Sequence, residues 1–235
     1  EFHINILVIQ TLEDTLMNTS IFQNNFRWIM ATGIICLLLA CESTYYKTME
    51  TMGYHKRDIM VDRVQDARDA QEEAKDQFES ALEQFSTVLN FQGGDLEKKY
   101  DQLKSEYEAS EEKAQAVRLR IDEVENVAED LFVEWQEELD QYTSSSLKKS
   151  SARKLAETKR QYAQLIDAMK RAERKIDPVL NAFRDQVLYL KHNLNARAIA
   201  SLQSELVSIE SDVARLIKEM DASIREANSF IASMQ

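Results

Sequence analysis

Few side chains in this 235-residue sequence have the types and spacing that catalysis or metal binding requires. A di-iron site in a four-helix bundle uses Glu-x-x-His pairs, yet neither His55 nor His192 follows a Glu by three positions. Paired carboxylates, such as Glu111 with Glu112, fit the solvated face of a helix. We therefore predict a protein with no enzyme activity, no cofactor, no metal ion and no small-molecule substrate.

Cys41 is the residue whose setting points most clearly to chemistry. It follows thirteen uncharged residues, 28–40, and this length matches a signal-peptide core, whereas a membrane-spanning helix needs about 20 residues. The run Leu38-Leu39-Ala40-Cys41 resembles a bacterial lipobox, in which the thiol receives a diacylglyceryl group before cleavage on its amino side. We predict lipid attachment at Cys41, since two or three acyl chains anchor a protein stably. An ordinary signal peptide or signal anchor with an incidental cysteine is the alternative.

The chain divides into four predicted parts: residues 1–16 as non-native or upstream sequence, 17–40 as a lipoprotein signal peptide, 41–57 as a tether, and 58–235 as a helical bundle domain. Glu13 and Asp14 suit neither a signal peptide nor a bundle, so Met17 is the expected initiator. Glu42 follows the cysteine. Because Asp at that position favours inner-membrane retention in enteric bacteria, the motif implies a periplasm-facing protein of the bacterial cell envelope, in the outer rather than the inner membrane.

Charge is unevenly distributed along the predicted helical domain. Residues 58–142 hold 25 acidic and 9 basic side chains, whereas residues 143–200 hold 5 acidic and 13 basic ones. We expect the two segments to fold back on each other with complementary charges along a seam between helices. A surface for anionic lipid is the alternative, and it would use Lys148, Lys149, Arg153, Lys154, Lys170, Arg171, Arg174 and Lys175. The low isoelectric point, about 4.9, argues against nucleic acid as a partner.

Helix is the expected secondary structure throughout the domain, because the whole chain has only 4 Gly and 1 Pro. Apolar or small residues recur in steps of three and four, which places them on one face of a helix. The first stripe ends before Gly93 and Gly94, and the second runs from Leu96 to Tyr142. The first stripe consists of eight residues: Met60, Val64, Ala67, Ala74, Phe78, Ala81, Phe85 and Val88. Six unbroken heptads in the second stripe favour an all-α, elongated, antiparallel bundle of the coiled-coil type.

Two arrangements of helices are compatible with the second half of the domain. A turn is predicted at residues 143–146, followed by a third helix from Leu147 that keeps its phase through Pro178, which either kinks the helix or starts a new one. A polar interruption at residues 191–197 predicts a third turn and a bundle of four long helices with matched lengths. The alternative is a bundle of three helices, in which the last one is long and bent.

The polar interruption contains the one group of residues that we single out as a candidate binding site. His192, Asn193, Asn195 and Arg197 lie between two apolar stripes. We interpret them as a turn between helices or as a buried network whose hydrogen bonds are all made. The competing hypothesis is a tip of the bundle that binds a partner. The aromatic residues of the second stripe are expected in the core rather than in a ligand site.

Two stretches of the domain carry a family resemblance. Lys56 to Ala74 reads KRDIMVDRVQDARDAQEEA, and Phe183 to Leu202 reads FRDQVLYLKHNLNARAIASL. With these stretches the chain, from Lys56 to Met234, resembles a domain-of-unknown-function family of predicted helical lipoproteins from Gram-negative bacteria. The resemblance implies a helical fold and an envelope location, and it brings no activity with it.

Two classes of function remain after these considerations. The main hypothesis is a structural or adaptor lipoprotein, held to the membrane by its lipid, whose bundle binds an envelope protein or a second copy of itself. The alternative is a peripheral membrane-binding bundle that senses or shapes bilayers through its basic helix.

Overall fold

The computed structural model describes residues 56–89, 96–193 and 196–234. Four long helices account for nearly all of them: α1 (Lys56–Leu89), α2 (Leu96–Glu138), α3 (Ser145–His192) and α4 (Ala196–Met234). A short 3-10 helix, Leu139–Gln141, follows α2. The helices are antiparallel, and each packs against two neighbours, so that α4 closes the bundle against α1. The predicted all-α antiparallel bundle is confirmed, and it has four helices rather than three.

The turn between α2 and α3 is built from the predicted polar residues, with small differences. Ser144 caps α3, because its side-chain oxygen accepts a hydrogen bond from the Leu147 N–H at 3.4 Å. The α-helical part of the second stripe ends at Glu138, and Tyr142 is extended and exposed. The expectation that Tyr142 belongs to the core was wrong. The tight 3-10 turn and the extended residue after it break the helical phase that the sequence pattern assumed.

The third turn lies within the predicted interruption. Asn193 ends α3 by donating its backbone N–H to the carbonyl of Leu190 at 3.1 Å and its side-chain amide to the carbonyl of Tyr189 at 2.9 Å. These two bonds satisfy carbonyl groups that a helix end leaves without partners. Pro178 lies inside α3 and starts no new helix. It is exposed, so the carbonyl that loses its helical partner faces the solvent side of the bundle.

Apolar side chains fill the interior along the predicted stripes. All eight residues predicted for the first stripe are buried: Met60, Val64, Ala67, Ala74, Phe78, Ala81, Phe85 and Val88. Phe183 of α3 stacks on Phe85 with ring centroids 4.5 Å apart, and Phe78 lies 6.4 Å away. Aromatic pairs of this kind add to the stabilisation that comes from burying their area. The core is therefore continuous from α1 to α3.

Five polar side chains are buried in the core among the residues that the structure describes. Gln71 lies between Ala67 and Ala74 on α1 and is fully buried, and four more polar side chains are buried at equivalent core positions: Ser110, Thr158, Gln186 and Ser223. These residues were not predicted to be buried, because only apolar and small residues define the stripes. Their spacing could have indicated burial, since each of them lies three or four positions from an apolar or small residue on either side.

Candidate functional site

The two ends of the bundle carry the features that could bind a partner. At the end that we call the α2–α3 end, Lys56 of α1 pairs with Glu134 at 3.1 Å, and Ser233 of α4 donates a hydrogen bond to Gln161 at 2.9 Å. These contacts place the start of α1 beside the last turns of α2, and the end of α4 beside a point more than four helical turns into α3. The opposite end, which contains the turn between α3 and α4, is called the α3–α4 end.

Of the four tip residues predicted from sequence, the structure describes the side chains of two. His192 is the last residue of α3 and is exposed, and Asn193 makes the helix-ending bonds described above. Asn195 lies outside the described residues, and Arg197 is the second residue of α4. His192 and Asn193 form a helix end rather than a buried network, because the imidazole faces solvent and the amide is used locally.

Two exposed apolar residues beside this turn were not singled out from the sequence. Leu188 is 51% exposed and Tyr189 is 40% exposed, although both belong to the last turns of α3. Their exposure could have been predicted from the spacing, because neither residue falls on the core stripe that runs through Phe183, Val187 and Leu190. Tyr is enriched at protein interfaces, where its ring is buried and its hydroxyl reaches a polar partner. The α3–α4 end thus presents apolar surface next to an exposed histidine.

The expected seam of complementary charges between α2 and α3 is present in part. Lys170 of α3 reaches Glu125 at 2.9 Å and Asp122 at 3.6 Å, and Lys148 reaches Asp140 at 3.0 Å. A further pair in this seam has the opposite polarity, since Arg118 of α2 contacts Asp177 of α3 at 2.5 Å.

The remaining basic residues whose side chains the structure describes form no ion pair with α2. Arg171 pairs with Asp167 of its own helix and with Glu219 of α4, and Lys154 pairs with Glu157. Lys149 and Arg153 are exposed and form no ion pair with any residue that the structure describes. The basic segment is thus only partly neutralised by the acidic one.

A half-buried aromatic cluster packs against the same seam. The ring of Tyr162 meets Phe132 edge-on, with centroids 5.4 Å apart, and the Lys159 ammonium lies 5.5 Å from the Phe132 ring centre. Burial, reinforced by the negative charge of Glu125, raises the pKa of Tyr162 to about 12. The phenol therefore stays protonated at neutral pH, and the cluster acts as packing.

The described helices contain no segment long and apolar enough to cross a membrane, and the same residues contain no group of three potential metal ligands from His, Cys, Asp and Glu. Cys41, the predicted site of lipid attachment, lies outside the described residues.

Comparison with known protein families gives one match. A family of proteins of unknown function, DUF2959, matches residues 45–234, which is more than half of the chain and contains all four helices. The chain belongs to the DUF2959 family. No curated protein and no solved structure matches it. Membership in DUF2959 agrees with the expected helical domain of unknown function, and the family description carries no activity to transfer.

Proposed function

We propose that this DUF2959 protein is a non-enzymatic structural or adaptor bundle of the bacterial cell envelope, anchored by lipid at Cys41. In this proposal the bundle binds a protein partner, or a second copy of itself, through the α3–α4 end. The observation that supports it is the exposure of Leu188 and Tyr189 beside the turn, because a few buried residues, with Tyr among the most frequent, supply most of the binding energy of an interface.

The geometry of α3 supports a role for this end in reaching a partner. The helix has 48 residues, which corresponds to roughly 70 Å at the rise of an α-helix. A tip at that distance from the α2–α3 end would meet proteins well away from the point where residues 1–55 join the bundle. The tip residues His192 and Asn193 would then lie at the rim of the contact, where polar groups stay partly solvated.

The experiment is cross-linking and affinity capture from envelopes, performed with the full chain and with two serine variants. The double variant Leu188→Ser/Tyr189→Ser removes the apolar tip. Leu119→Ser is the matched control, because Leu119 is 56% exposed on α2. Both changes affect exposed side chains, so both proteins are expected to keep the parent's circular dichroism spectrum.

A partner captured by the parent and by Leu119→Ser, but lost at least tenfold by the tip variant, would support the adaptor role. Tenfold corresponds to about 1.4 kcal/mol of binding free energy, which is the size expected for removal of an interface anchor. Equal capture by all three proteins would contradict the assignment of the α3–α4 end as the binding surface.

A further inference from the structure

Two apolar side chains are exposed at the α2–α3 end, where the connecting segment is otherwise polar. Tyr142 is 41% exposed and Leu147 is 59% exposed, and they flank Thr143, Ser144 and two further serines. Leu147 belongs to the first turn of α3, so it extends from a rigid helix rather than from a loose segment. Exposed apolar and aromatic residues at a turn are suited to the boundary between water and lipid.

The first turns of α3 surround these apolar residues with positive charge. Residues 145–163 contain six basic side chains and one acidic one. Lys149, Arg153 and Arg160 are exposed, and none of the three pairs with an acidic residue in the described part of the chain. Arg153 and Arg160 are seven positions apart and therefore lie on the same outward face of the helix.

The acidic groups of this end lie mostly on the α2 side. Asp140 is neutralised by Lys148, whose ammonium lies 3.0 Å from its carboxylate. Glu137 and Glu138, in the last turn of α2, are exposed. The positive potential is consequently concentrated on the outer face of α3 and is not spread over the whole end.

The N-terminal part of the chain joins the bundle at this same end. Lys56 is the first residue of α1, and its contact with Glu134 places it beside the last turns of α2. Residues 1–55 therefore enter here, and they contain the uncharged stretch 28–40 followed by Cys41.

We propose that the α2–α3 end docks on an anionic phospholipid surface. Tyr142 and Leu147 lie at the interface, and Lys149, Arg153 and Arg160 face the headgroup phosphates. The charge complementarity follows from the unpaired cations, because each Lys or Arg close to an anionic leaflet is attracted by its negative surface potential. This interaction surface is separate from the protein-binding tip of the proposed function, and it does not depend on acylation of Cys41.

The test uses the full chain reconstituted into vesicles that contain phosphatidylglycerol with a photoreactive diazirine acyl chain, followed by mapping of the lipid adducts by mass spectrometry. The test variant is Lys149→Glu/Arg153→Glu. The matched control is Arg174→Glu/Lys175→Glu, which makes the same change of charge on the same helix. Arg174 and Lys175 are likewise exposed and unpaired among the described residues.

The parent and the control should both form adducts within residues 142–160, and the test variant should lose those adducts by roughly tenfold or more, since two attractive charges become repulsive. The loss should shrink in high salt, and phosphatidylcholine vesicles with the same photoreactive chain should give few adducts in this range. Adducts confined to residues 1–55 in the parent, or equal losses in the two variants, would overturn the proposal. The parent and both variants carry the same N-terminal segment. Failure of the proposed lipid anchor would therefore change the adducts of all three proteins equally, whereas failure of the docking surface would not.

Discussion

The two ends of the bundle present different chemistry to their surroundings, although α3 runs from one end to the other. At the α2–α3 end, Leu147 is exposed beside Lys149 and Arg153, which have no ion-pair partner among the described residues. At the α3–α4 end, Leu188 and Tyr189 are exposed beside a helix end that is closed by Asn193. The interior is the same kind of apolar core throughout, so the difference between the ends resides in residues that the core does not need.

The heptad positions of the helices specify the fold, while the outward positions are free to carry function. Leu147 and Leu188 belong to one helix and contribute nothing to its core stripe, which passes through Leu155 and Phe183 instead. Single exposed apolar residues are ordinary on a protein surface. Each end of α3 is assigned a partner because an exposed tyrosine accompanies the exposed leucine there, Tyr142 near Leu147 and Tyr189 beside Leu188.

The largest expected effect comes from removing the proposed lipid anchor, which lies outside both ends of the bundle. We expect Cys41→Ser to abolish incorporation of a palmitate analogue and to release the protein from the membrane fraction, because we propose that the Cys41 thiol accepts the lipid. Cys36→Ser is the control and should remain labelled. Continued labelling of the Cys41→Ser protein would refute the lipoprotein assignment.

The next largest effect tests whether one continuous core joins the two ends. Phe183 is fully buried and stacks on Phe85, so Phe183→Ala should lower the free energy of unfolding by about 3–5 kcal/mol. The exposed Val207 provides a control, since Val207→Ala should change the free energy of unfolding by less than about 0.5 kcal/mol. Urea unfolding followed by circular dichroism measures both. Two separate unfolding transitions, with only one shifted by Phe183→Ala, would show that the ends are independent units.

A smaller effect, of opposite sign, is expected at a buried polar position between the ends. Both polar atoms of the Gln71 amide are buried without a hydrogen-bond partner among the described residues. Replacing Gln71 by Leu should therefore raise the free energy of unfolding by about 1–3 kcal/mol. Gln84→Leu, the same change at a half-buried position elsewhere on α1, serves as the control. A loss of stability in Gln71→Leu would show that the amide makes a needed interaction.

The smallest effect concerns the charges that distinguish the ends. Burial lowers the pKa of Lys170, but hydrogen bonds and charges from Glu125 and Glu173 outweigh it and leave the pKa above 10.5. The lysine therefore stabilises the fold below its unfolded-state pKa, and the stabilisation is lost as the pH rises through the higher folded-state pKa. Lys170→Met should lower the free energy of unfolding by at most about 1 kcal/mol at pH 7. Lys149→Met should leave the free energy of unfolding unchanged. Equal costs in thermal unfolding would remove the distinction between paired and unpaired cations.

Much of the fold could be predicted from the sequence, because the apolar residues recur periodically and the helix-breaking residues Gly and Pro are rare. The stripe from Met60 to Val88 was predicted residue by residue, and the turn at residues 191–197 was placed correctly. Gln71 was missed because its polarity hides its heptad position. Tyr142 was misplaced because the end of a helix depends on local hydrogen bonds, which the apolar period does not report.

The candidate binding surfaces were harder to predict than the core. His192 and Asn193 marked the right end of the bundle, but the exposed Leu188 and Tyr189 beside them emerged only with the burial pattern. In a sequence they are two more apolar residues in a helix that contains many. Their exposure depends on which face of α3 the other helices cover, and that is a property of the assembled bundle.

The most direct test of the difference between the ends places a photoreactive phenylalanine at one exposed position of each end and cross-links both proteins in intact cell envelopes. With the probe at Leu147, we predict lipid adducts and no protein adduct. With the probe at Tyr189, we predict a discrete protein adduct and no lipid. The same set of adducts at both positions, or protein at Leu147 with lipid at Tyr189, would contradict the assignment of the α2–α3 end to the membrane and the α3–α4 end to a partner.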